Sequence, residues 1–446
     1  MCGERKIIMK YIKTGVAELD IELITGMDMT GYLARMSPSE GIHDALKIKC
    51  IVFDDDNNQF VLIICDLLGL DSQYIKECNT EISKKLSIPS DNIVIACIHT
   101  HSGPASIFLQ DSGAVDYKWL ESLKLRIVEC ACKAAYRMRS SKITYKTSNC
   151  NIGINRVMWD VSNPELFVDD QLGVLEIRDA GSGCIDTVLV NYACHPVVLG
   201  DANLFYSKDY PHFLIHALNS RDDYKNASVI FANGCCGDIN PSERGNFEIA
   251  EKLGQRLADS VADTAIIQLD KNAFSNAKIK VKTLRVSIPL KNEADDVLKE
   301  PKSENSDEVE TQDNEIIIKV KKAMKNWGVR MRSKNSSGTL KYAVAADIKI
   351  ICIGMLRIVT LPFEVFHEIG IKIKEFFGTD RTIVLGYANG DFGYLPSKAL
   401  YEKAGYEAGT AFKYYGFPGP VCKDAEDIVL KAIFDAATEG GLNEKA

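Results

Sequence analysis

"NIVIACIHTHSGP" (Asn92–Pro104) begins as an apolar, β-branched run and ends in two histidines and a turn. The run from Asn92 to Ile98 is short, and it reads as a strand buried on both faces. His99 and His101 follow it directly, at the strand end where α/β proteins place their sites. Side chains alternate along extended backbone, so extension through Thr100 would turn both rings into one pocket. Two imidazoles so placed suit a metal ion. They equally suit a pair of hydrogen-bonded histidines closing a strand.

The same kind of run recurs. "CIDTVLVNYAC" (Cys184–Cys194) and "SVIFAN" (Ser228–Asn233) read as further strands. Between them the apolar period changes to that of helices. Leu120, Leu123, Ile127, Ala131 and Ala134 share one face, as do Ile249, Leu253, Leu257 and Val261. "AADIKIICIGMLRIVTLP" (Ala345–Pro362) predicts two strands about a tight Ile-Gly turn. A helix follows, with Val365, Ile369, Ile373 and Phe376 in register and Gly378 past its end. Interleaved strands and helices make the class α/β, with mixed sheets packed against helices in one large domain spanning residues 1–446. "NEADDVLKEPKSENSDEVETQDNE" (Asn292–Glu315) is polar and acidic and is expected to be a mobile surface insertion.

A chain of 446 residues with 46% hydrophobic and 26% charged residues can bury a substantial core. The net charge of -8 argues against a nucleic-acid partner. No apolar run reaches the roughly 18–20 residues of a membrane span. The start, "MCGERKIIMKYIKTG", lacks the apolar core of a secretion signal, so a cytoplasmic location is expected. The 14 cysteines show no paired zinc-finger spacing and are expected to pack as reduced thiols.

Several loops after strands carry residues with chemistry. "NYACHPVVLG" adds His195, with Pro196 fixing the chain behind it. "TLPFEVF" places Glu364 at the expected first turn of a helix, where the helix dipole alone would justify a carboxylate. "FANGCCGDINP" (Phe231–Pro241) is a sharply turning loop whose Cys235 and Cys236 read as buried spectators. "GYANGDFGYLP" (Gly386–Pro396) holds Tyr387 and Tyr394, residues that in such loops commonly pack with the hydroxyl in water.

Together these pieces resemble the catalytic domain of the neutral/alkaline, non-lysosomal ceramidases. "GVAELDIELITGMDMTGY" and "EGIHDALKIKCIV" are similar to the family's N-terminal signature. "HTHSGP", "GINR", "CHPV", "GDINP", "LPFE" and "NGDFGYLP" then follow in the family's order. The resemblance implies a Zn2+ held by His99, His195, Glu364 and Tyr394, a set that suits zinc with one position left for water. It places His101 beside the attacking water, and Arg156 and Tyr406 near the substrate carbonyl. Where the family has a serine assigned a nucleophilic role, this chain has Asn240, which has no hydroxyl to attack with. His101 and an activated water are then expected to do the chemistry.

The expected activity is zinc-dependent cleavage of an amide bond in a small-molecule or lipid-like N-acyl substrate. The alternatives are a zinc esterase or deacetylase, and a zinc-containing ligand-binding protein without catalysis. The chain ends about fifty residues after Tyr394, so no C-terminal β-rich domain is expected.

Overall fold

The computed structural model describes residues 11–158, 162, 163, 165, 167–262, 267, 268, 274, 277–299 and 314–443. Its centre is a large mixed sheet. In spatial order the strands are Ser228–Asn233, Ile185–Tyr192, Gln171–Asp179, Arg139–Asn149, Ile12–Asp20, Lys47–Asp54, Gln59–Cys65 and Ile93–Cys97. The strands expected near Asn92, Cys184 and Ser228 are all present, trimmed by a residue or two at most ends. Their residues are apolar on both faces because helices cover one side and the rest of the core the other.

The sheet curls until its two end strands approach each other. The Asn233 side-chain amide, at one end, donates to the Ile98 carbonyl at the other, 2.9 Å away. The Lys49 ammonium, on the strand Lys47–Asp54, also donates to the carbonyl of Val229 on the end strand Ser228–Asn233. Parallel pairs lie at both ends, Ser228–Asn233 with Ile185–Tyr192 and Gln59–Cys65 with Ile93–Cys97. Curling therefore brings the loops that leave these strands into one place.

A second sheet runs Ile279–Pro289, Ala343–Ile353, Leu356–Thr360 and Thr382–Leu385. The expected Ile-Gly turn joins its middle strands, and Gly354 adopts φ 57°, a left-handed conformation that glycine tolerates. Its last two strands are parallel, and their loops run toward the end of the large sheet. The Asn389 N–H donates to the Ile95 carbonyl at 2.8 Å and the Cys97 N–H to the Tyr387 carbonyl at 3.1 Å.

Helix Tyr117–Tyr136 buries Leu120, Leu123, Ile127, Ala131 and Ala134, the expected face. Asp116 caps it by accepting from the Lys118 and Trp119 N–H groups. Helix Phe247–Ala262 buries Leu253, Leu257 and Val261. Helix His367–Phe377 buries Ile369 and Ile373 and ends at Gly378. It starts later than expected: Glu364 and Val365 form a two-residue strand instead, paired in parallel with Tyr394 and Leu395. The acidic segment is not one loop. Asp295–Lys299 is helical and a 22-residue helix begins at Glu315, while residues 300–313 lie outside the described residues.

Candidate active site

The loop after Ile93–Cys97 carries His99 and His101. Both rings enter one pocket, with centroids 4.9 Å apart. Strand alternation is not the reason. The strand stops at Cys97, and His99 turns through φ 68°, a left-handed conformation that is strained for a residue with a Cβ. The flat Tyr387 ring stacks on His99 at 4.0 Å and holds it there. Tyr387 is itself at φ 52°, and its hydroxyl meets the Cys236 thiol at 3.1 Å rather than water.

Three rings are pinned in the same way. His99 Nδ1 lies 2.9 Å from the Leu68 carbonyl, His101 Nδ1 3.1 Å from Gly31, and His195 Nδ1 3.1 Å from Ile239. A carbonyl only accepts, so each Nδ1 carries a proton, and a ring in its neutral form turns a lone pair outward at Nε2. Gly31 cannot carry a side chain here: a Cβ would sit 2.5 Å from the His101 ring, at φ +106°.

These lone pairs converge on Glu364. His99 Nε2 is 3.2 Å and His195 Nε2 3.1 Å from Glu364 Oε2. All three groups are buried. Burial holds the His195 pKa down to about 4, so that ring is neutral. Burial would raise the Glu364 pKa, but positive charge and N–H donation from the His99 and His195 side hold it well below the ordinary value. Lone pairs facing a carboxylate oxygen repel one another unless a cation lies between them. A tetrahedral ion with bonds of about 2.0–2.1 Å separates its ligands by about 3.3–3.4 Å, close to these spacings. His101 Nε2 belongs to the same histidine cluster, within 4.8 Å, and is buried without a hydrogen-bond partner, but it makes no ion pair with Glu364. The donor set therefore fits a metal ion.

Around this cluster lies a cavity of about 400 Å³. It brings together His99, His101, Arg156, Asn240, Glu364, Tyr394 and Tyr406, with His195 buried just behind. Tyr394 reaches the site by register: it pairs directly with Glu364 across the two short strands, so both side chains leave the ladder on one side. Arg156 Nη2 donates to the Tyr394 hydroxyl at 3.0 Å and to the Gly237 carbonyl at 2.7 Å. Arg156 Nη1 donates to Asn240 Oδ1 at 3.3 Å. Tyr406 is half-exposed, its ring 5.9 Å from that of Tyr394.

Buried Asp238 ties three motifs together. It accepts from Asn155 Nδ2 at 2.8 Å, from the His367 N–H at 2.9 Å and from His367 Nδ1 at 2.6 Å. Cys235 and Cys236 are buried, and burial raises both thiols, as expected of spectators. Every cysteine among the described residues is a free thiol.

Two contacts escaped the sequence reading. The Tyr415 hydroxyl donates to Glu364 Oε1, and Glu407 Oε1 lies 2.8 Å from Arg156 Nε. The only sequence signal was the aromatic cluster "KYYGFPG" and a carboxylate next to Tyr406. A second trio, His43, Asp44 and His212, also gathers metal-ligating atoms. There the Asp44 carboxylate already accepts from the Lys208 ammonium at 2.8 Å.

The family model for neutral/alkaline non-lysosomal ceramidase, N-terminal, matches residues 13–276. The chain belongs to this family. Its fold is similar to that of neutral ceramidase from Pseudomonas aeruginosa, with a TM-score of 0.71 over 97% of this chain and 75% of that one, at 17% identity. A ceramidase complexed with C2 matches with a TM-score of 0.72, over 97% and 76%, also at 17% identity. The family match contains His99, His101, Arg156, His195 and Asn240, whereas Glu364, Tyr394 and Tyr406 lie beyond it. No helix among the described residues is long and apolar enough to cross a membrane.

Proposed function

We propose that this ceramidase relative is a zinc-dependent hydrolase that cleaves the amide bond of a small or lipid-like N-acyl substrate. One observation carries the reading: Nε2 of His99 and Nε2 of His195 converge on one Glu364 oxygen at 3.1–3.2 Å, a spacing that suits the ligands of one tetrahedral cation. His99, His195, Glu364 and Tyr394 would hold it. Zinc bound there would supply a Lewis acid able to lower the pKa of water to about 7.

The other residues act on the substrate and its protons. His101 is fixed through Nδ1 and free at Nε2, so it accepts the proton of the attacking water and returns one to the departing amine. Arg156 and Tyr406 present donors to the carbonyl oxygen as it gains charge. Asn240 performs no attack; its Oδ1 orients the Arg156 guanidinium. Tyr415 holds the Glu364 carboxylate in position. The cavity, with Leu33, Leu109 and Val197 beside the polar groups, suits an acyl chain next to an amide.

The test is metal analysis of protein purified without added zinc, followed by assay of N-acyl amines. About one zinc per chain is expected, with hydrolysis lost on chelation and restored by zinc. Protein with no metal, and no hydrolysis after zinc is added, overturns the proposal.

A further inference from the structure

Charge on the cavity wall is unevenly matched. Glu364 is committed to two histidines and the Tyr415 hydroxyl, and Glu407 to Arg156. Two guanidiniums around Tyr32 have no carboxylate at ion-pair distance among the described residues; Asp209 attracts Arg244 and Asp201 attracts Arg35 only at longer range. Arg244 lines the cavity; its Nε donates to the Val197 carbonyl at 2.8 Å and its Nη2 to the Tyr32 hydroxyl at 3.1 Å. The rest of its N–H fork is uncommitted, and among the described residues it forms no ion pair. Arg35 lies 5.1 Å from the centre of the Tyr32 ring. It is only 5% exposed, bonds to the Asn203 and Thr30 carbonyls, and leaves Nη2 without a partner. Burial accordingly lowers its pKa to about 10. The Lys319 ammonium sits beside it, on the Arg35 carbonyl at 2.6 Å.

Of these three cations Arg244 lines the cavity, where the Tyr32 ring packs 4.9 Å from His101, while Arg35 and Lys319 line a neighbouring pocket. A neutral substrate would leave the free edge of Arg244, and the buried Arg35 Nη2, without an acceptor. A carboxylate would supply one through charge-assisted hydrogen bonds with the free edge of Arg244.

Resting on the hydrolase reading above, we propose that the substrate is an N-acyl amino acid or similar N-acyl carboxylate, whose anionic group docks on Arg244 with Arg35 reinforcing the field. Hydrolysis would form a C–O bond from water to the acyl carbon and break the C–N bond. The amine nitrogen would receive the proton, and a free amino acid and a fatty carboxylate would leave.

The experiment compares N-lauroyl glycine and N-lauroyl β-alanine with the uncharged N-lauroyl ethanolamine, on zinc-loaded wild-type protein and on Arg244→Gln. Arg244 is exposed, so the variant is expected to fold. At least one carboxylate substrate should have the higher kcat/KM on wild type. In the variant its kcat/KM should fall by on the order of 10–100-fold more than that of the ethanolamide. Arg244→Lys should recover part of that loss. Equal loss for charged and uncharged substrates, or an ethanolamide preferred by wild type, overturns the proposal while leaving the hydrolase reading intact. If nothing is hydrolysed, calorimetric binding of N-lauroyl glycine decides. Binding weakened in the variant supports the anion site, and equal or absent binding overturns it.

Discussion

Two histidine clusters lie among the described residues, and they differ in what stands opposite the ring nitrogens. Around His99 every Nδ1 is tied to a main-chain carbonyl, so the lone pairs meet at Nε2 with a carboxylate and no ammonium among them. Around His43 the nitrogens facing Asp44 are Nδ1 atoms, at 3.1 Å from His43 and 3.5 Å from His212. The Lys208 ammonium already supplies the positive charge that Asp44 needs. His43 also stacks on Phe247 at 3.8 Å, a contact that requires only a flat ring. Clustering of donors is common to both. The difference is which nitrogen faces the carboxylate and whether a cation is already in place.

That comparison can be broken outright. His99→Ala should drop bound zinc from about one per chain to near zero and abolish hydrolysis, whereas His212→Ala should leave the zinc content unchanged. Zinc lost from both variants by elemental analysis would erase the distinction. A finer division lies inside the first cluster. His101→Ala should slow turnover by about 10²–10⁴-fold with zinc retained, as removal of a general base does. Zinc lost in that variant would make His101 a ligand instead. Smaller still, Tyr415→Phe removes the hydroxyl that steadies Glu364 and should weaken zinc affinity or activity by about 10–100-fold, read by competition with a chelator. The least effect is expected at the other cluster. His43→Ala should cost about 0.5–1.5 kcal/mol through its lost ring stacking, measured by denaturant unfolding, with the activity of the folded protein retained.

The two clusters also mark how far the sequence could be read. The strands before His99, His195 and Asp238 were legible because buried parallel strands are continuous apolar runs. Grouping His99 with His195, Glu364 and Tyr394 came from ordered motifs. The reason His99 and His101 share a pocket was not legible: alternation led to the correct pocket by the wrong route, since backbone strain at His99 depends on a Tyr387 ring 288 positions away. Glu364 read as a first-turn helix residue because nothing in "TLPFEVF" betrays its partner strand at Tyr394. Glu407 and Tyr415 were missed because a carboxylate and a tyrosine in a loop gain meaning only from what folds against them. The helix Glu315–Ser336 escaped notice because Ile316, Ile317 and Ile318 are consecutive, which blurs the helical period.

The curl of the large sheet has a consequence for the order in which the molecule is made. His195 and Glu364 are 169 residues apart, and Arg156 and Tyr394 are 238 apart. Contacts of such span close late, because the chain entropy of large loops must be lost before they form. On the ribosome, an emerging chain would expose "HTHSGP" long before Glu364 existed to complete the set. Under the proposed function, metal capture would be a terminal event of maturation. An ion bound only by the finished fold would pull that fold toward completion by mass action, acting as a latch on the assembled protein.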